Sequence, residues 1–294
     1  ADGRIALSPM LDHNGNFKSD MTVTRIKDGE YFCVTASVGK RHDQHWMMEN
    51  LPTDGSVVME DVTYKEGCLV LAGPKSRDVL ADACYNDVSN QAFAFGTVKE
   101  IYVGRTKCRV HRMTYVGELG YEIFHPIESQ IAVFEALMTA GKPHGLKMFG
   151  MYAMDSMRLE KGYLAWKSEI NLHHTPLETP ISWTVKMDKD FIGKAGLEKQ
   201  KADGAPRRLV CLVCQAEDAD PWGYNPIFSG DRIVGMTSSG GYGHRVEKSL
   251  ALGYVPPNLA APGTPLEVEI LGKKVPAQVA AMPLYDPENE RMKV

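Results

Sequence analysis

The chain has 294 residues, of which 44% are hydrophobic and 24% charged, enough to bury a sizeable core and to form two or three domains. Its formal net charge of −4 is spread without blocks. No Lys/Arg stripe interleaved with aromatic rings could follow a phosphate backbone, so nucleic acid is excluded as an expected partner. No run of about eighteen apolar residues occurs, and no membrane-spanning helix is expected.

Residues 4 to 36 read as a β-meander, because Asn14-Gly15 and Asp28-Gly29 each separate two β-rich runs and are strong hairpin turn signals. Within the second strand, alternation sets Met21 and Val23 on one face and Asp20, Thr22 and Thr24 on the other. From Gly73-Pro74 the pattern turns helical, with Val79, Leu80, Ala83 and Cys84 at core spacing. A hairpin follows, residues 97 to 103 and 107 to 116 flanking Gly104-Arg105-Thr106. Next comes a helix with Ile131, Phe134, Leu137 and Met138 on one face, ended by Gly141 and Pro143. A second helix runs from about Tyr152 to Lys161, with Met151, Met154 and Met157 at a spacing that suits a core.

Asn171 to Pro180 is loop-like, and the polar stretch from Lys199 to Pro206 reads as a linker. Beyond it, Leu209 to Cys214, Ile233 to Ser238, Leu250 to Val255 and Leu266 to Ile270 are strand candidates with turn residues between them, which suggests a small barrel or sandwich. The fold class is accordingly α+β. The six cysteines mostly sit singly in apolar patterns and read as buried thiols of a reducing compartment; Cys211 and Cys214 form a CxxC with no second pair or histidine cluster nearby. His173, His174 and Glu178 lack the further ligand needed to complete a tetrahedral set, so no metal site is expected.

Two stretches carry the chemistry. In Tyr115-Val116-Gly117-Glu118-Leu119-Gly120-Tyr121-Glu122-Ile123, glycines and π-faces accompany Glu122, whose two acceptor oxygens suit the donor edge of a flat heterocycle. Taken alone the motif is weak: it also fits a turn into a strand with Glu118 and Glu122 solvated. In Met154-Asp155-Ser156-Met157-Arg158-Leu159-Glu160-Lys161-Gly162-Tyr163, Asp155 and Arg158 stand at i, i+3, the spacing of an ordinary helix-surface pair worth a few tenths of a kcal/mol.

In wording and order both stretches resemble the aminomethyltransferase (glycine-cleavage T-protein) superfamily, and more narrowly the folate-binding C-terminal halves of dimethylglycine and sarcosine dehydrogenases. Glycine-cleavage T-proteins typically carry Ala-Arg-Asp where this chain has Ala153-Met154-Asp155, a loss of five donors and a fixed charge that points to the dehydrogenase branch. The segment from Leu11 to Val23, His174-Thr175-Pro176-Leu177-Glu178 with Ser182-Trp183, Asp190 to Lys194, and Thr237 to His244 followed by Lys248 to Val255 extend the resemblance over nearly the whole chain.

The resemblance implies a three-lobed clover-leaf fold: part of a β-rich lobe at 1–65, a central α+β lobe at 66–198 and a C-terminal β-barrel at 199–294. It implies bound tetrahydrofolate held by Glu122 with Tyr115, Tyr121, Tyr163 and Trp183, and Asp20 as the catalytic residue nearest the reactive nitrogen. The implied reaction captures the iminium or formaldehyde-level carbon of an N-methyl amine, of dimethylglycine or sarcosine type, as 5,10-methylenetetrahydrofolate. A stand-alone O- or S-demethylase and a glycine-cleavage aminomethyltransferase are the alternatives. A non-catalytic folate-binding relative fits less well, since Lys161 to Lys167 lacks the Cys and Gln of that group's motif. No GxGxxG follows a strand here, so FAD is expected only on an upstream domain or flavoprotein partner. The chain opens at Asp2 directly into a strand pattern, and further sequence is expected upstream. The expected location is the cytoplasm, or the mitochondrial matrix in a eukaryote.

Overall fold

A computed structural model describes residues 2–294. The chain forms two compact units, one made of residues 2–6, Thr22–Gly150 and Glu288–Val294, the other of Leu7–Met21 and Met151–Pro287. The contiguous division at 65 and 198 expected from the sequence is therefore a division by segment, whereas compactness gathers segments distant in sequence. The opening meander runs as expected, with β1 (Ile5–Leu11), β2 (Phe17–Lys27) and β3 (Glu30–Thr35) in the order β1-β2-β3. Its turns hold because Gly15 and Gly29 supply positive φ, of 87° and 72°, and because Asp12 Oδ1 accepts the backbone N–H groups of Asn14 and Asn16. Buried and half-buried residues alternate from Phe17 to Met21, then the phase slips, so that Thr24 rather than Val23 is buried.

In the first unit, α1 (Lys40–Glu49) precedes β4 (Glu66–Ala72), α2 (Ser76–Ala83), β5 (Val98–Val103), β6 (Thr106–His111), β7 (Gly120–Pro126) and α3 (Gln130–Gly141). The four strands form an antiparallel sheet ordered β4-β7-β6-β5. One face carries Leu71, Ile101, Val103, Cys108, Val110, Tyr121 and Ile123, which pack with Val79, Leu80, Val133 and Leu137 of the two helices into one apolar core. Two expectations need correction here. The face of α3 that packs is Val133, Ala136, Leu137 and Ala140, while Ile131 and Phe134 are exposed, because small side chains let a helix lie close to a sheet. The strand expected to reach Val116 stops at His111, where Arg112 leaves the ladder to exchange hydrogen bonds with Gly96 and Thr97.

In the second unit, α4 (Met151–Glu160) buries Arg158, Leu159 and Glu160 at its end, whereas Met151 is exposed rather than a core residue. The stretch expected as a linker is mostly α5 (Lys194–Asp203), a polar helix anchored by one fully buried residue, Leu197. Then β8 (Arg208–Cys214), β9 (Pro226–Ser229), β10 (Arg232–Gly243), β11 (Lys248–Val255), β12 (Pro265–Ile270) and β13 (Lys273–Ala280) close into a barrel ordered β10-β11-β8-β13-β12-β9. The run Leu209 to Cys214 is apolar throughout because both its faces are covered. Val210, Leu212 and Cys214 fill the barrel, and Leu209 and Cys211 pack outward on Leu159, Leu164, Ile170 and Leu197. Cys211 and Cys214 thus lie on opposite faces, and burial pushes both thiols up to about 12. Cys33 and Cys68, by contrast, are exposed, contrary to the expectation of buried thiols. The short α6 (Glu290–Lys293) belongs to the first unit. Among the described residues no helix is long and apolar enough to cross a membrane.

Candidate functional site

The first signature becomes a loop, residues 112 to 119, that feeds β7. It is fixed from both ends: Leu119 O accepts Gly73 N–H at 2.8 Å and Ser76 Oγ at 3.0 Å, and Val116 N–H reaches Thr114 Oγ1. Gly117 has φ of 72°, and a Cβ on Gly120 would press on the Thr114 side chain, so both positions favour glycine. Strand alternation then separates the two motif residues expected to act together. Tyr121 is fully buried in the apolar core, its ring 5.7 Å from that of Phe93, and burial raises its hydroxyl pKa. It contributes a wall of the core rather than an open π-face, because residue 121 must point away from residue 122 in a strand.

Glu122 projects from the opposite face, in a cross-strand row that reads Val70, Glu122, His111, Val98. It is half-buried, and desolvation raises its carboxyl pKa. Among the described residues none donates a hydrogen bond to it. Tyr115 is half-buried in the loop before it, and Glu118 is buried rather than solvated.

The next residues along this face are tied together. Arg109 pairs with Glu66 at 3.0 Å and lies over the Phe32 ring at 4.2 Å; Phe32 and Phe124 meet edge-on at 5.1 Å. His111, which the sequence reading did not single out, is fully buried between them, 4.8 Å from the Phe124 ring and 5.8 Å from Phe32. Burial, aided by Arg109, lowers its pKa to about 4, so the imidazole is neutral at physiological pH.

In the second unit, Asp20 sits half-buried on β2 between the buried Ser19 and Met21, on the face opposite to Met21 as expected. Tyr163 is half-buried at the end of the second signature; burial and the nearby Asp286 push its hydroxyl up to about 12. Trp183 is 62% exposed, on a short turn at Ser182–Thr184.

The charged residues of the second signature are saturated by the protein itself. Arg158 is buried and reaches Asp155 at 2.6 Å and Glu169 at 2.9 Å, which replaces the surface pair expected from spacing with an interior network. Glu169, missed in the sequence, also accepts from Ala165 N–H at 2.9 Å, Ser238 Oγ at 2.7 Å and Ser239 Oγ. Glu160 holds Arg245 and Val246 through their backbone N–H groups and the Arg245 guanidinium; Lys161 holds Asp286 at 3.1 Å. His174 and Glu178 likewise have structural work, His174 stacking on Tyr254 at 3.7 Å and Glu178 capping Thr175 and pairing with Arg207 at 3.1 Å.

Residues 1–189 match the GCVT N-terminal domain, and residues 207–286 match the glycine cleavage T-protein C-terminal barrel domain. The chain belongs to the glycine cleavage T-protein family. It has the aminomethyltransferase fold: the structure superposes on that of the glycine cleavage system aminomethyltransferase T from Bartonella henselae with a TM-score of 0.85 and 25% identity, covering 97% of this chain and 77% of that one. It is 39% identical over 292 residues to mitochondrial dimethylglycine dehydrogenase of Homo sapiens, covering 98% of this chain but 34% of that protein. Mitochondrial sarcosine dehydrogenase of Mus musculus is 32% identical over 314 residues, again with 34% of its length covered. An aminomethyltransferase of Flavobacterium psychrophilum is 28% identical over 284 residues, with 78% of its length covered. The chain thus spans about a third of the length of the dehydrogenases it matches.

Proposed function

We propose that this chain binds tetrahydrofolate at Glu122 and captures a one-carbon unit released from an N-methyl amine of dimethylglycine or sarcosine type. The observation that carries the reading is the Glu122 carboxylate: half-buried, raised in pKa and without a protein donor, it fits a ligand that brings N–H groups. Tyr115 precedes it in the loop and Tyr121 backs it from the core; Tyr163 and Trp183, in the second unit, are further candidates for folate contact from the family resemblance. The bound folate would supply the nucleophilic nitrogen. Asp20 would accept a proton or steady positive charge during transfer. The similarity to dehydrogenases favours an amine as the carbon donor, with oxidation by a flavin domain or flavoprotein partner outside these residues, and a mitochondrial matrix location in a eukaryote or a cytoplasmic one otherwise. The chain would divide into three lobes, at 1–65, 66–198 and 199–294.

The test is calorimetric titration of tetrahydrofolate into the full-length protein. Glu122→Ala should lose charge-assisted hydrogen bonds worth about 1.5–3 kcal/mol, roughly a ten- to hundredfold drop in affinity. Wild-type affinity should weaken as pH falls through the raised pKa of Glu122, because only the carboxylate accepts from two donors. Asp20→Asn should bind normally but slow transfer by about two to four decades, releasing free formaldehyde instead. Unchanged affinity in a folded Glu122→Ala protein would sink the binding site, and an unchanged transfer rate in Asp20→Asn would make Asp20 structural.

A further inference from the structure

His111 is the one fully buried imidazole among the described residues whose two ring nitrogens both lack a hydrogen-bond partner. A buried polar group left so is costly in a folded protein, on the order of 1–3 kcal/mol, and calls for an explanation. Its position supplies one. His111 and Glu122 face each other directly across the β6–β7 ladder, on the side of the sheet turned away from the apolar core. Directly opposed side chains in an antiparallel pair start about 4.5–5.5 Å apart at Cβ. A carboxylate and an imidazole at that separation offer two acceptor oxygens beside one N–H donor. The complementary edge is donor, donor, acceptor, which is the edge of a 2-amino-4-oxo pyrimidine ring: amino N–H, ring N–H, then carbonyl oxygen.

We infer that His111 is a specificity-determining residue of the Glu122 site, its N–H donating to the 4-oxo oxygen of a bound 2-amino-4-oxo heterocycle whose two N–H groups are taken by Glu122. The inference rests on the tetrahydrofolate reading above and deepens it. The local environment keeps the imidazole in the form the role requires. Phe32 and Phe124 flank the ring, and Arg109 beside it, engaged by Glu66, opposes a second positive charge. A neutral imidazole carries one N–H and one lone pair, so it can satisfy a carbonyl without placing a counter-charge on Glu122 that would compete with the ligand. In the ligand-free chain the ring is packed between the two phenylalanines, and to donate to the ligand it would have to turn toward Glu122.

A site built to donate to an oxo group rejects an amino group there, because two donors then meet. The experiment compares tetrahydrofolate with its 4-amino analogue, both titrated calorimetrically into the full-length protein. Wild type should prefer the 4-oxo ligand. His111→Phe, which keeps the ring packing, should lose about tenfold in affinity for the 4-oxo ligand while binding the 4-amino analogue as before or more tightly, so that the preference shrinks by about tenfold to the part Glu122 sets, since the 4-amino analogue also lacks the ring N–H that Glu122 takes. His111→Gln, which retains an N–H donor, should restore part of the preference. Thermal unfolding checks that each variant is folded, and a misfolded His111→Phe leaves His111→Gln and His111→Leu to decide by the same ratio. An unchanged preference in a folded variant, or equal losses for both ligands, would overturn the inference and leave His111 a packing residue. Failure of the folate reading itself looks different: then Glu122→Ala leaves both affinities unchanged, or neither ligand binds wild type.

Discussion

Replacing Glu169 tests the reading that the charged residues of the second signature serve stability rather than binding. The carboxylate is fully buried and takes Arg158 Nη1 at 2.9 Å and Ala165 N–H at 2.9 Å on one oxygen, with the hydroxyls of Ser238 and Ser239 on the other. Glu169→Ala removes four acceptor interactions and leaves Arg158, itself buried, with Asp155 as its remaining carboxylate; breaking a buried pair this way costs about 3–5 kcal/mol. Glu169→Gln is milder. Its carbonyl can still face Arg158 and Ala165, while its amide faces two hydroxyls that can rotate to accept, so the loss is chiefly the charge, about 1.5–3 kcal/mol. Urea denaturation followed by tryptophan fluorescence reports on the correct unit, since Trp166, Trp183 and Trp222 belong to it and Trp46 does not. With an m-value near ~3 kcal/mol/M, the alanine variant should lower the midpoint by more than ~1 M. The double variant Arg158→Met/Glu169→Leu should recover much of that loss, because no charge is then left buried. A loss under about 1 kcal/mol for Glu169→Ala, or equal losses for Ala and Gln, would refute the argument.

Acid should destabilise both units. His111 and His174 are each lowered from 6.5 to about 4 in the folded chain, so the unfolded state binds more protons between these values and stability falls as pH drops from 6.5 toward 4, by about 3 kcal/mol for each histidine. His174→Phe, which can keep the stacking on Tyr254, should flatten that slope in the fluorescence-detected transition; an unaltered slope would show the shift to be absent. Gly196 separates propensity from packing. A Cβ there would run into the Asn14 backbone, so Gly196→Ala should destabilise by about 1–3 kcal/mol, although helix propensity alone would make it stabilising by about 1 kcal/mol; a raised melting temperature would favour propensity.

The parts of the fold legible in the sequence were those whose local pattern agrees with their environment. The strands β8 and β11 read clearly because both faces of each are covered and the run is apolar. The strands β9 and β13 did not, because Pro226 opens a four-residue strand and Lys273, Lys274 and Pro276 interrupt the other. In α5 a single buried leucine leaves no periodicity to find. In α3 periodicity favoured the bulky Ile131 and Phe134, while packing against the sheet selected Ala136 and Ala140. Glu122 was legible because its motif is contiguous. His111 was not, since its relation to Glu122 exists only through the pairing of β6 with β7, and Glu169 was hidden because its partners lie up to 70 residues away.

That difference bears on where function resides. Both signatures place carboxylates in buried or half-buried positions, and a buried charge must be compensated by something. In the second signature the protein supplies the compensation: Arg158, Lys161 and Glu160 each meet charged partners and backbone groups of their own unit, and little hydrogen-bonding capacity is left for a ligand. In the first, His111 is buried with neither ring nitrogen bonded and the half-buried Glu122 is partly desolvated with no protein donor, which costs folding stability and gains nothing in the ligand-free chain. Stability alone would favour Glu122→Gln or an apolar pair at these positions. A sheet face that keeps an acceptor and a potential donor side by side, while its opposite face is packed with apolar side chains, is intelligible as a site whose missing partners arrive with the ligand.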